Sequence, residues 1–321
     1  MKRTILINRN LGEANLRFLQ ARYPDIRFTM QHGGRKELTG EVLQSAEVLF
    51  GWADAELFER AENLRWFHSV SAGVDTYIDA ADRIFGIKLL LTNSAGVYGI
   101  PISEHLLALM LALTHRVGMS VRQMDARAWG GLPPCGELTG ATVGIVGFGD
   151  IGRCLAALLA PFRCEVLAYK RTPAAKPADV AEMLYGPEGL DELMRRSDHV
   201  CLCLPGTPET RGTIGNRRLA LMKPTACLYN VGRGYTVDTD ALVRALAEGR
   251  IAGAGLDVTD PEPLPPEHPL WAMKNVIVTP HMSGYTPGRW EARMTEFFAE
   301  NLDAYIVGKP LPGAVDRIHK Y

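Results

Sequence analysis

Four short stretches carry polar side chains that packing does not account for, each directly behind an apolar run. They are Ser71-Ala72-Gly73-Val74-Asp75, Asn230-Val231-Gly232-Arg233-Gly234, residues 257–265, and Thr279-Pro280-His281-Met282-Ser283-Gly284. Arg233 stands between two glycines, which suits a guanidinium projecting into a cleft. There it can grip a carboxylate through two parallel hydrogen bonds and polarise an adjacent carbonyl. Taken alone it reads equally as a surface arginine in a turn. His281 has the right chemistry for general acid/base work, although a lone histidine is more often structural. Glu262 is flanked by Pro261 and Pro263, which restrict its backbone. A carboxylate beside His281 would fix the imidazole tautomer and favour its protonated form; an exposed loop glutamate is the plainer alternative.

A fifth stretch runs Thr142-Val143-Gly144-Ile145-Val146-Gly147-Phe148-Gly149-Asp150-Ile151-Gly152-Arg153. Small and β-branched residues give a buried strand, and Ile151, Leu155, Leu158 and Leu159 recur behind it at helical spacing. Gly147, Gly149 and Gly152 then fit G-x-G-x-x-G in strand–turn–helix context, which points to a dinucleotide with its pyrophosphate on the helix N-terminus. Enzymes that take NAD usually carry Asp or Glu ~20 residues beyond the glycines, on the ribose 2′-OH. Here the chain reads Tyr169-Lys170-Arg171-Thr172-Pro173, and the next acid is Asp179. Lys170, Arg171 and Thr172 suit a 2′-phosphate, so NADP is expected as the preferred cofactor, with NAD possible.

These stretches need elements to position them. Strands are expected at residues 4–7, 26–28, 47–51, 64–68 and 88–92, with helices at 16–22, 36–45 and 55–62 between them. A second series gives strands at 142–146, 165–169, 199–204, 226–230, 251–256 and 276–279, with helices at 151–160, 189–196, 216–222 and 238–248. Repeated β-α alternation predicts an α/β chain of two doubly wound domains with a cleft between them. The six strands of the second series match a Rossmann fold. Residues 102–117 form an apolar helix, extended to 101–124 at its longest, which reads as an interdomain connector and homodimer face or as a plain core helix. The last helix, 289–307, has no strand after it and is expected to return to the first series. The domains are therefore 1–98 plus 286–321, and 99–285. Trp52, Tyr77, Tyr98, Trp129, Met282 and Tyr285 lie near the expected cleft loops.

Composition narrows the partners. A chain of 321 residues, 47% hydrophobic and 22% charged with net charge -1, has the profile of a soluble globular protein with no bias toward nucleic acid or anionic membranes. The N-terminal apolar run is broken at Asn8, too early for a signal peptide, and no stretch approaches the ~18 to 20 apolar residues of a membrane span. A cytoplasmic location is expected. The six cysteines lack C-x-x-C spacing, so buried thiols rather than a metal site are expected.

In chain order, residues 64–75, 144–153, Leu204-Pro205-Gly206-Thr207-Pro208-Glu209-Thr210, residues 230–234, Gly253-Ala254-Gly255-Leu256-Asp257-Val258, Glu262-Pro263-Leu264-Pro265, Pro269-Leu270-Trp271 and Thr279-Pro280-His281 carry a resemblance. The chain resembles the NAD(P)-dependent D-2-hydroxyacid dehydrogenases, which include glyoxylate/hydroxypyruvate reductases, over nearly its whole length. The resemblance implies a flavodoxin-like substrate domain and a catalytic trio of Arg233, Glu262 and His281, with His281 giving a proton to the keto oxygen of a small 2-keto acid. It implies that Ser71, Ala72, Gly73 and Val74 share the substrate carboxylate with Arg233. It implies cofactor contacts from Gly147, Phe148, Gly149, Asp150, Ile151, Leu204, Pro205, Thr207, Val231, Asp257, His281, Ser283 and Gly284, with Asp257 on the nicotinamide carboxamide. It also implies a homodimer through the 101–124 helix. A non-turnover dinucleotide-sensing regulatory protein of the same fold is the alternative. An alanine dehydrogenase fits the Arg, Glu, His order less well.

Overall fold

The computed structural model describes residues 3–31 and 40–320. It divides the chain into two compact units, Met1–Tyr98 with Thr286–Tyr321, and Gly99–Tyr285.

In the first unit the elements follow as β1 (Thr4–Ile7), α1 (Glu13–Arg22), β2 (Arg27–Met30), α2 (Gly40–Ser45), β3 (Val48–Gly51), α3 (Ala55–Arg60), β4 (Trp66–Ser69), α4 (Ile78–Phe85) and β5 (Leu90–Thr92). All pairings are parallel, in the order β2-β1-β3-β4-β5, with Ile5 opposite Val48 and Val48 opposite Trp66. That is the flavodoxin-type order. Ile5, Leu6, Ile7, Leu49 and Phe50 are buried, as continuous apolar strands covered on both faces must be. The helix α4 is not among the elements expected from the sequence; it buries Ile78 and Ala81 and packs Ile84 and Phe85 against the same core. Residues 36–39 of the expected helix 36–45 lie outside the described residues.

The second unit opens with α5 (Gly99–Thr114) and α6 (Val117–Asp125). The single helix expected over 101–124 is therefore two. Arg116 adopts φ 57 at the break, where its guanidinium donates to the carbonyls of Leu113 and Pro134. The series continues as β6 (Thr142–Val146), α7 (Asp150–Leu159), β7 (Glu165–Tyr169), β8 (Glu182–Leu184), α8 (Gly186–Arg196), β9 (His199–Leu202), α9 (Asn216–Leu219), β10 (Cys227–Asn230), α10 (Thr239–Ala247), β11 (Gly253–Leu256) and β12 (Val276–Val278). The sheet has seven parallel strands, not six, in the order β12-β11-β10-β9-β6-β7-β8. The extra strand β8 is three residues long, lies at the sheet edge and starts on a charge, so no strand pattern announces it. Counted from β6, the order is the Rossmann sequence with its reversal at β6. Leu106, Leu109, Met110 and Leu113 of α5 pack with Ile145, Leu155 and Leu159 in one core.

The final helix, α11 (Arg289–Ile306), belongs to the first unit. Its Phe298 stacks on Phe50 at 4.2 Å and on Trp66 at 5.3 Å. Among the described residues no helix is long and apolar enough to cross a membrane, and no group of three or more His, Cys, Asp and Glu side chains converges. Against the expectation of buried thiols, Cys135 is exposed; Cys201 and Cys227 are buried, and burial pushes the Cys203 thiol, just past β9, up to about 12.

Candidate active site

In the second unit, Gly147 turns the chain out of β6 at φ 99, in contact with the Cys203 carbonyl, so a side chain there would collide with backbone. The N–H groups of Gly147 and Phe148 are both taken by the Tyr169 carbonyl, at 3.0 and 3.1 Å. The Phe148 ring is buried. Gly149 is the N-cap of α7 and faces open space, and no side chain caps the helix. The N–H groups of Gly149, Asp150 and Ile151 meet no acceptor among the described residues. Uncapped donors at a positive helix end, in front of a space that a Cβ would fill, fit the pyrophosphate of a dinucleotide. At the end of the neighbouring strand β7, Lys170 is half-buried and Arg171 and Thr172 are exposed. Glu182, at the start of β8 opposite Leu167, is paired with Arg196 at 2.6 Å. Across β9, the segment with Leu204, Pro205 and Thr207 is closed by the Thr210 hydroxyl, which donates to the Pro205 carbonyl and accepts from the Thr207 N–H.

The carboxyl ends of the adjacent strands β10, β11 and β12 deliver the ionisable residues. Behind β10, Asn230 is buried and clamps the turn from inside. Its Oδ1 accepts the Gly232 N–H at 3.1 Å, and its Nδ2 donates to the Arg233 carbonyl at 2.9 Å. The Thr236 hydroxyl donates to the same carbonyl at 2.7 Å. Arg233 is thus held at its backbone, and its half-buried guanidinium donates from Nη1 to the Gly232 carbonyl at 3.0 Å. Val231 beside it is buried. Asn230 opens the 230–234 stretch and serves it as a structural clamp. Its signal is the amide two and three residues ahead of groups it bonds, an Asx-type turn.

Behind β12 the chain turns through His281, a non-glycine residue at φ 49. His281 Nδ1 lies 2.7 Å from Glu262 Oε1, with both side chains partly exposed. Nδ1 is thereby committed to the carboxylate, and Nε2 is the nitrogen free to exchange a proton outward. Asp257, at the end of β11, is 1% exposed. Its Oδ1 accepts the Thr279 hydroxyl at 2.6 Å and the Met282 N–H at 3.0 Å, and its Oδ2 accepts the Ser283 N–H at 3.1 Å. Burial works to raise this carboxyl, but the hydrogen bonds from Ser283, Thr279 and the Met282 backbone outweigh it and hold the group below its ordinary value. Met282 and Tyr285 are exposed and Gly284 is partly so.

The first unit carries its own polar turn behind β4. Four successive carbonyls are pinned from one side. Those of Ser69 and Val70 accept the hydroxyls of Ser94 and Tyr98, and those of Ser71 and Ala72 accept the Ser94 N–H and the Asn93 amide. With the carbonyls drawn one way, the N–H groups of Ala72, Gly73 and Val74 meet no acceptor among the described residues. Successive free N–H groups make an anion-binding concavity. Ser71 contributes its N–H to the Ser69 hydroxyl instead. Burial pushes the Tyr98 phenol up to about 12. Tyr77, expected near the substrate, is core instead, edge-on to Phe67 at 5.0 Å, whereas Trp52 and Trp129 are exposed.

With this geometry in hand, similarity to known proteins becomes interpretable. The family description "D-isomer specific 2-hydroxyacid dehydrogenase, NAD binding domain" matches residues 107–283. The chain is 35% identical to the glyoxylate reductase of Thermococcus onnurineus over 330 residues, 99% of this chain and 97% of that protein. Among solved structures it is similar to a D-isomer specific 2-hydroxyacid dehydrogenase from Xanthobacter autotrophicus Py2 in complex with NADPH and MES, with 29% identity, a TM-score of 0.85 and 100% coverage of both chains. It is also similar to the NADPH-dependent glyoxylate/hydroxypyruvate reductase of Sinorhizobium meliloti in complex with NADP and sulfate, with 25% identity, a TM-score of 0.82 and 100% coverage of both chains. The chain belongs to the D-isomer-specific 2-hydroxyacid dehydrogenases, NAD(P)-dependent oxidoreductases that act on 2-hydroxy acids.

Proposed function

We propose that this enzyme is an NADPH-preferring reductase of small 2-keto acids, glyoxylate and hydroxypyruvate among them, with His281 as proton donor. The observation that carries the reading is the 2.7 Å bond between His281 Nδ1 and Glu262. The carboxylate engages Nδ1 and fixes the orientation of the ring, which leaves Nε2 to serve a keto oxygen. The dinucleotide, when bound, supplies the hydride. Arg233 holds the substrate carboxylate through its fork of donors and polarises the neighbouring carbonyl. The N–H groups of Ala72, Gly73 and Val74 are assigned the same class of ligand, a carboxylate. Gly149, Asp150 and Ile151 offer backbone N–H groups to the pyrophosphate, and Lys170, Arg171 and Thr172 take a 2′-phosphate. The named activities of the Thermococcus and Sinorhizobium relatives support the substrate class, and the NADPH dependence of the latter supports the cofactor. A homodimer formed through α5 and α6 and a cytoplasmic location complete the proposal.

The test is a panel of 2-keto acids assayed with NADPH and NADH at matched concentrations. At least about a tenfold advantage in kcat/KM for NADPH is expected from charge-assisted bonds to one phosphate. Preference for NADH would overturn the cofactor assignment, and no turnover of any acid would overturn the reductase. His281→Ala should cost about 100-fold or more in kcat; a folded variant that keeps most of its turnover would show that the proton comes from elsewhere.

A further inference from the structure

A chain of three side chains runs from the long helix to the His281 turn. His105, on the second turn of α5, places Nε2 3.0 Å from Thr279 Oγ1, and Thr279 Oγ1 lies 2.6 Å from Asp257 Oδ1. The direction of this chain can be worked out. A carboxylate that accepts two backbone N–H groups offers no proton, so the single hydroxyl proton of Thr279 points to Asp257. Thr279 can then only accept from His105, and Nε2 of that ring must carry a proton. His105 Nε2 is also 3.7 Å from Asp257 Oδ1, so ring and carboxylate meet the hydroxyl from two sides.

What the chain holds is the turn that bears the acid. The Asp257 carboxylate receives the N–H groups of Met282 and Ser283, and the Asp257 carbonyl receives the N–H of His281 at 2.9 Å. One residue therefore binds three consecutive N–H groups of residues 281–283. His281 sits in the left-handed region, uncommon for a residue other than glycine, and the bonds to Asp257 hold it there. A rotation of the Asp257 carboxylate would release two of those three bonds at once. Thr279 blocks that rotation from one side, and the helix-borne His105 fixes Thr279.

We infer that His105 and Thr279 are positioning residues for the reaction, orienting Asp257 so that residues 281–283 present the His281 imidazole in register with Glu262. This rests on the assignment of His281 as proton donor. Neither residue touches substrate in this role, and both act through Asp257.

The experiment compares Thr279→Val, which keeps shape and deletes the hydroxyl, with Thr279→Ser, which restores it. His105→Leu and His105→Gln, the latter retaining an N–H donor, form the second pair. The double variant His105→Leu/Thr279→Val completes a cycle. Turnover of glyoxylate with NADPH is measured together with KM, NADPH binding by fluorescence, and the melting temperature. Thr279→Val and His105→Leu should each lower kcat about 10- to 100-fold while NADPH affinity stays within about threefold. The Ser and Gln variants should recover kcat to within about threefold of the parent, and the double variant should be no worse than Thr279→Val, because both cut one chain. ¹⁵N-histidine NMR should show a proton on His105 Nε2. A folded Thr279→Val with kcat within about twofold of the parent, losses that multiply in the double variant, or an unprotonated Nε2 would overturn the inference. If His105→Leu does not fold, the Val and Ser pair at 279 still decides it. His281→Ala is run alongside. Retained turnover there sinks the proton-donor assignment, whereas an inactive His281→Ala beside unimpaired Thr279→Val sinks only the positioning chain.

Discussion

At the scale of single residues, this site depends on neutral amides and hydroxyls as much as on charges. Asn230 fixes the backbone that bears Arg233 by holding the Gly232 N–H and the Arg233 carbonyl. Replacing Asn230 by Ala leaves a buried N–H unpaired and weakens the tie on a buried carbonyl, at about 1–3 kcal/mol for the orphaned group. Asn230→Ala should therefore lower the urea midpoint and raise KM for glyoxylate about tenfold or more, with NADPH affinity near the parent's. An unchanged KM in a folded Asn230→Ala protein would remove the clamp from the account. The ionisable residues of the site were legible in the sequence, since Arg233, Glu262 and His281 each follow an apolar strand and sit among glycine or proline. Asn93 and His105 were not, and Thr279 was legible only as part of its stretch, not in its bonds. Their partners lie 21, 174 and 22 residues away, and no local pattern encodes a hydrogen bond over such distances.

At the scale of elements, the strand and helix series could be read from apolar runs and their spacing wherever runs were long. The strand β8 escaped because three residues cannot display a period, whereas α4 carries a helical stripe of Ile78, Ala81, Ile84 and Phe85 that is readable in the sequence. The break between α5 and α6 escaped for a different reason. Nothing in the apolar pattern marks Arg116, whose left-handed backbone is held by bonds to Leu113 and to Pro134 in a later loop. Beyond that break Val121 and Met124 of α6 stand exposed, Met124 at 75%. If α5 and α6 form the dimer face proposed above, two carboxylates there would be stranded in an apolar interface. Val121→Glu/Met124→Glu should then sediment as a monomer where the parent sediments as a dimer. A parent that is already monomeric, or a variant that stays dimeric, would refute that face.

At the scale of the whole molecule, each unit buries a neutral histidine that sets its acid tolerance. His68 lies under Phe50 and Phe298 in the first unit, and burial lowers its pKa to about 3. In the second unit burial lowers His199 to about 4, against the partial opposition of Asp198. Both values lie below the ~6.5 of an unfolded histidine, so between those limits the unfolded chain takes up protons that the folded chain refuses. Stability should be unaffected by these groups above about pH 6.5 and should fall as the pH drops below it, by roughly 4 kcal/mol between pH 7 and pH 5 for the two together. Urea unfolding at the two pH values measures this, and His68→Gln should flatten the dependence by about half. A midpoint that does not move between pH 7 and pH 5 would mean that these rings are protonated in the folded protein. The turn at residues 71–74 has a different kind of consequence. Its offer to an anion is made by peptide N–H groups, which every residue except proline possesses. If the turn holds the substrate carboxylate as proposed, substitutions among its side chains would reshape what surrounds the carboxylate while the N–H grip persists. New acids could then be explored without first losing the ability to hold one.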